Sequence, residues 1–412
     1  MNHKFSFIFV LITSTLIALP PATAHCQQAN PELERQLRLA RAEGIPTTQK
    51  EFEASLPKYK PSENAAKVYG QLPKDDHGLL KSETQIRKDL LANPTPENIK
   101  KVEKLLGQLK PWLTVMDRAV KYPHCLFPKD YSAGVSTVLL PEFARIKSGA
   151  KAKQIRATLL AVLGRDAEAI AELRTLSVVA NHLREQPYEI SHLVGDAVYN
   201  MRINSLTEIY FRFPKKAIYR QAIDMAGRET LKVDVFYASK YRLFDILTII
   251  KLSQTKAGRR KLGIKDEYVK PENTLLTQLL PPKDEAIVKL VKAHRELFAE
   301  IKGKQRVETL REIDDKITNS MMPFLNASII YEGLGPTSEV LIDWIYRPII
   351  RKNWLTAFLR ATESYPYAET IKTDDLINPY DGEPIKYQFD GSKMVFEWIE
   401  FDDELQRRKV FP

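Results

Sequence analysis

The sequence has 412 residues, 44% of them hydrophobic and 28% charged, with a formal net charge of +10. This is an ordinary globular composition with ample apolar material for a core, and it is long enough for two or three folding units. With only 16 glycines and helix formers dominant, it favours an all-α body over a sheet. The basic residues are spread among acids. Their short runs, Lys215-Lys216, Arg259-Arg260-Lys261 and Arg407-Arg408-Lys409, read as solvated faces.

Residues 1–24 carry the marks of a secretory signal. Lys4 gives the positive start, residues 5–19 the apolar run, and Ala22-Thr23-Ala24 a small-residue cleavage site. The apolar run is about 15 residues, short of the ~20 that span a bilayer, and no later stretch is apolar enough to do so. Lipid attachment through Cys26 would want a small residue where His25 stands. The expected location is therefore periplasmic or secreted. In that oxidising setting the only two cysteines, Cys26 and Cys125, form a candidate disulfide. Its loop of about a hundred residues would contribute roughly 4–5 kcal/mol on the chain-entropy account. A mobile, unpaired Cys26 is the alternative. No cofactor and no nucleic-acid partner are expected. The net positive charge suits an acidic envelope polymer, and an envelope protein is the other candidate partner.

In chain order, residues 25–77 read as an arm of short helices. The first covers about 30–42. Thr47 or Thr48 caps the second, with Glu51 placed as in a capping box. Ser62 caps the third, whose apolar face is Ala65, Ala66 and Tyr69. Residues 78–257 are the expected helical core. Two helices flank Pro94-Thr95-Pro96; in the second, Ile99, Val102, Leu105, Leu106, Leu109, Leu113 and Met116 keep a helical period through a kink at Pro111. An irregular connection, 122–139, holds His124, Cys125, Asp130 and Gly134.

The stretch that organises the rest runs from 139 to 213. Ile155, Thr158, Leu159, Val162 and Leu163 share one helical face. Gly164 supplies a stop and Asp166 a cap for the next helix, whose stripe is Ile170, Leu173, Leu176, Ser177, Ala180 and Leu183. Pro187 fits the first turn of a third helix carrying Ile190, Leu193, Val194, Ala197, Val198 and Met201. The hairpin at LGRDAEAIAEL is tetratricopeptide-like, yet no period near 34 residues recurs elsewhere. Helices continue beyond Pro214 to about 252. Residues 258–283 read as a linker and 284–377 as C-terminal helices. Of these, 284–317 is charged and expected on the surface. A long helix over 338–364 presents Ile342, Ile345, Ile349 and Ile350, with Pro348 interrupting its ladder. In the tail, 378–412, alternating runs at 385–389 and 394–399 flank Asp390-Gly391-Ser392-Lys393 and predict a β-hairpin. The expected fold is all-α, an irregular array of antiparallel helical hairpins with a small C-terminal β-hairpin.

The segments SENAAKVY, CLFPKDYSAGVSTVLLP, LGRDAEAIAELRTLSVVANHLREQPYEISHLV and NPYDGEPIKYQFDG resemble a family of exported, mostly helical bacterial proteins of unknown function, of planctomycete type. The resemblance implies export and an α-rich fold, and no activity. The segment from Tyr365-Pro366 through LINPYDGEPIKYQF is similar to the C-terminal end of type II secretion pseudopilins, without their hydrophobic N-terminal helix.

The densest polar cluster is His182, Glu185, Glu189, His192 and Asp196. Glu189 and His192 have the Glu-x-x-His spacing of helical carboxylate metal sites, and imidazole with carboxylate suits zinc or iron. The motif occurs once where such sites use it twice; polar residues at a helix bend otherwise cap helices or bond backbone. There is no His-Glu-x-x-His, no Gly-x-Ser-x-Gly, no phosphate loop and no dinucleotide fingerprint. Cys125 beside His124 offers a thiol, but adjacent side chains do not face each other in regular structure. Asp130 and Asp381 read as residues that order their loops. The aromatic groups Tyr237, Tyr241 and Phe244, and Trp344, Tyr346 and Trp354, read as core, with a sugar- or peptide-binding groove as the alternative. The expectation is a non-enzymatic exported binding or scaffold protein; the alternative is an envelope hydrolase with a metal site near His192.

Overall fold

In the computed structural model the described residues are 30–74, 78–135, 137–214, 216–229, 235–253, 255–262, 284–302, 338–363, 371–379, 382–389, 394–399 and 406–411, with short helical pieces at 309, 312–313 and 315–317. Helix α1 (Pro31–Ala42) starts where the Asn30 side chain accepts the N–H groups of Glu32 and Leu33. Helix α2 (Gln49–Ser55) is capped by Thr48, while the Glu51 carboxylate accepts the backbone N–H and hydroxyl of Thr47. Helix α3 (Ala66–Tyr69) takes its side-chain acceptor from Asn64 rather than Ser62. Its expected face of Ala65, Ala66 and Tyr69 is buried. Phe52 and Tyr69 of this arm are wholly buried in the main core.

Helix α4 (Glu83–Ala92) and helix α5 (Pro96–Gln108) flank the expected proline break, with Thr95 capping α5. Near the expected kink at Pro111 the helix is interrupted at one residue, Leu109, whose backbone stays in the helical region at φ −83, ψ 0. A new helix, α6 (Lys110–Ala119), begins beside it. A proline without an N–H is tolerated in a first turn and costly in an interior, so the chain ends one helix and starts another.

The organising stretch forms α7 (Pro141–Val162), α8 (Asp166–Arg184) and α9 (Glu189–Arg212). Gly164 stands at φ +76 as the left-handed stop. Asp166 makes no cap bond. Its carboxylate accepts instead from Lys216 Nζ and the Tyr219 hydroxyl, each at 2.8 Å, which ties down helix α10 (Ala217–Arg228). Pro187 lies just ahead of α9, whose cap is Tyr188. Helix α8 is the central element, packed between α7 and α9. It meets α9 closely at Gly195, where a Cβ would stand 2.9 Å from the Ala180 carbonyl oxygen.

Helix α11 (Val235–Ser253) is followed by a short helix, α12 (Lys256–Lys261), where the linker was expected to begin; residues 263–283 lie outside the described residues. Helix α13 (Asp284–Lys302) is not simply a surface helix. It buries Val288, Leu290, Val291, Leu297 and Phe298, and it packs on α1 and α11. Its charges occupy the remaining face, so composition alone misjudged it. Helix α14 (Ser338–Ala361) runs through Pro348. Its inward face carries Ile350, Trp354, Leu355 and Phe358, while Ile349 is 45% exposed; the side chains of Ile342 and Ile345 lie outside the described residues.

The tail holds the expected hairpin, β1 (Lys386–Phe389) paired antiparallel with β2 (Met394–Ile399) in the register Tyr387↔Phe396. Its turn, 390–393, lies outside the described residues. A third strand, β3 (Gln406–Phe411), extends the sheet in the order β1-β2-β3. That strand contains the Arg407-Arg408-Lys409 run. Phe396 is wholly buried, with Tyr387 at 5.1 Å and Phe358 at 6.4 Å between ring centroids, so the sheet is docked on α14. The protein is therefore mostly helical with a small C-terminal antiparallel sheet. Among the described residues no helix is long and apolar enough to cross a membrane.

Candidate functional site: a cavity between the α6 end and α8

The connection after α6 is fastened to the C-terminal end of α8 by side chains that α8 supplies. Gln186 accepts the Phe127 N–H at 3.0 Å and donates to the Cys125 and His182 carbonyls. His182 donates Nε2–H to the Tyr122 carbonyl at 2.9 Å and accepts the Tyr69 hydroxyl at Nδ1, at 3.0 Å. A carbonyl only accepts, which fixes the tautomer. Burial pushes the His182 imidazole down to about 4. Glu185 accepts the Cys125 N–H at 2.7 Å on one oxygen and meets His124 Nδ1 at 3.0 Å with the other. From the far side, Asn64 binds both the N–H and the carbonyl of Leu126 at 3.0 Å.

Between this connection, the segment after α2 and α8 lies a cavity of about 600 Å³. Its apolar walls are Pro57, Tyr59, Val120, Tyr122, Pro123 and Val178. Its polar lining includes Lys121, His124, Asn181, Arg184 and Glu185. Tyr59 stacks on His124 with ring centroids 4.1 Å apart and planes 5° apart. Burial, then the Glu185 charge, pushes the Tyr59 phenol up to about 12. The His124 side chain is 34% exposed, and the described residues offer no bond to its Nε2. Nδ1–H is held by Glu185, so the neutral ring presents Nε2 as a lone-pair acceptor on its open edge.

The five residues read as a metal cluster divide between two environments. His182 and Glu185 are spent on the 122–127 connection, as above. His192 and Asp196 belong to α9 and face inward among arginines. Asp196 pairs with Arg184, with Arg347 at 3.5 Å and with Arg351 at 3.7 Å. Burial, then the charge of Arg184, holds the His192 imidazole down to about 3. The Glu189 side chain lies outside the described residues. Among the described residues no group of three or more histidine, cysteine, aspartate or glutamate side chains is placed to hold a metal ion.

Cys125 is buried, and burial raises its thiol well above the usual range, which suits packing rather than nucleophilic attack. Cys26, its expected disulfide partner, lies outside the described residues. Asp130 orders its loop as expected, accepting the N–H and hydroxyl of Ser132; Asp381 lies outside the described residues. Of the aromatic groups, Tyr241 and Phe244 close around Phe52 at 4.5 and 4.9 Å, and Trp354 is buried. The side chains of Tyr237, Trp344 and Tyr346 lie outside the described residues.

Sequence reasoning missed the His124–Glu185 pair and the Tyr59 stack. The pair spans 61 residues, so no local spacing reveals it. The available signal was the polar cluster at the end of α8, from which His182 and Glu185 reach the 122–127 connection. No protein-family profile, curated protein or solved structure matches the chain.

Proposed function

We propose that the chain is an exported helical binding protein of the bacterial envelope, and that the cavity beside α8 is where it holds its ligand. The observation that carries this reading is the cavity itself. At about 600 Å³ it lies in the size range of small-ligand sites, and its walls are mostly apolar with a few convergent polar groups. The groups that shape it are locked by second bonds, as binding sites require. Export rests on the signal-like residues 1–24 and the cleavage motif Ala22-Thr23-Ala24. The partner is an envelope component, acidic polymer or protein, which the net charge of +10 would attract if the polymer is acidic.

The test is native purification from an envelope extract, followed by native mass spectrometry. A retained small molecule, absent from a Val178→Trp variant that fills the cavity, is the expected result. An empty wild type indistinguishable from the variant across envelope-derived ligands would overturn the reading. The same sample decides the alternative, an envelope hydrolase with a metal near His192. Stoichiometric zinc or iron lost on His192→Ala would favour it. Against it stand the arginines that occupy Asp196 and the bonds that occupy His182 and Glu185.

A further inference from the structure

We propose that the ligand of this cavity is a sugar unit, its ring against the Tyr59–Tyr122 wall and one of its hydroxyls donating to His124 Nε2. The inference rests on reading the cavity as a binding site and adds the chemistry of what fills it.

The argument is by elimination over the polar groups that line the space. Glu185 is spent on His124 and the Cys125 N–H. His182 has both ring nitrogens engaged. Arg184 is paired with Asp196, and its Nε and Nη1 are buried. Lys121 is exposed. What remains inside the space is an acceptor at His124 Nε2, which asks for a hydrogen-bond donor. A purely apolar ligand would displace water from His124 and leave it unpaired, which is costly.

The rest of the wall is Tyr59, Tyr122, Pro57, Pro123 and Val178, which offers aromatic and aliphatic faces. A pyranose has a face of C–H groups for such a wall and a rim of hydroxyl donors for the acceptor. The volume accommodates one or two such rings. The acceptor is also pre-set. Glu185 holds the imidazole tautomer, the Cys125 N–H holds Glu185, and Tyr59 holds the ring plane. Little ordering remains to be done on binding.

The experiment is titration of the folded chain at pH 7.5 with N-acetylglucosamine, its β-1,4 dimer and maltose, read by calorimetry and by the imidazole resonances of His124. The expected result is saturable binding of at least one sugar with a shifted His124 signal. His124→Phe keeps a ring against Tyr59 and removes the acceptor, and should weaken that binding about tenfold. Lys101→Ala, on the exposed face of α5, should leave it within about twofold. Equal affinity in wild type and His124→Phe would overturn the inference, as would binding of proline-containing peptides in place of all three sugars. In the second case a ligand displaced by Val178→Trp would still uphold the binding reading, so the two fail separately. Should His124→Phe not fold, Tyr59→Leu, which removes the aromatic wall, should weaken the same binding in the same titration.

Discussion

Three buried histidines make the protein's stability depend on pH. Burial holds His182 at about 4 and His192 and His294 at about 3, against about 6.5 for the free side chain. A depressed histidine is neutral in the folded chain and protonates first in the unfolded one. Its contribution is therefore complete above pH 6.5 and is lost as pH falls toward 4. Urea unfolding between pH 7 and 4.5 should show stability falling with acid. His182→Gln should flatten that slope by about one proton while lowering stability at pH 7, because Tyr69 and the Tyr122 carbonyl lose their partner. A slope unchanged by the substitution would contradict the burial argument. Two glycines give a second residue-scale contrast. At Gly195 a methyl group meets the Ala180 carbonyl oxygen at 2.9 Å, and backbone cannot turn aside. At Gly149 it meets the Met116 sulfur at 2.6 Å, on a side chain that can. Gly195→Ala should cost about 1–3 kcal/mol, and Gly149→Ala less than about 1 kcal/mol, with the alanine's helix preference offsetting part of the strain. Thermal melts of the two variants decide it.

At the scale of elements, the connection after α6 stays in place because α8 holds it. Gln186→Ala leaves the Phe127 N–H and the Cys125 carbonyl without their bonds, at a cost of about 2–3 kcal/mol. In a Cys26→Ser background, the thiol of Cys125 should label slowly with a thiol reagent, since it is wholly buried. Gln186→Ala should speed that labelling at least tenfold, and unchanged labelling would remove Gln186 from its fastening role. The same connection shows which features local sequence carries. Gly164 was legible because a left-handed stop is decided within one turn of chain. Pro111 was legible as a disturbance of the helix. Asp166 was not, because Lys216 and Tyr219 outbid the cap from 50 and 53 residues away. The helical period of α8 predicted its apolar stripe, while the task of its polar end depended on a loop folded back from 60 residues earlier. For α13, counting charges concealed an apolar face that only periodicity could separate.

At the scale of the whole molecule, the N-terminal helix is joined to a distant part of the chain. Ala40 and Ile45 share a small apolar cluster with Leu243, Val291 and Phe298. Arg295 of α13 binds Glu43 and Gln36, and Lys292 stands 3.1 Å from Glu32. This cluster is separate from the main core. Phe298→Ala should cost about 3 kcal/mol and should expose α1 to limited proteolysis, while leaving ligand retention in the cavity intact. Loss of both together would mean that the two regions unfold as one. The docking also sets an order of events during synthesis. Glu43 and Arg295 are 252 residues apart, and chains grow at roughly 5–20 residues per second. Roughly 10 to 50 seconds therefore pass in which Leu33, Leu37 and Ala40 have been made and their cover has not. The first described helix is among the last to be sheltered, so the nascent chain carries an early oily stripe for chaperones to recognise.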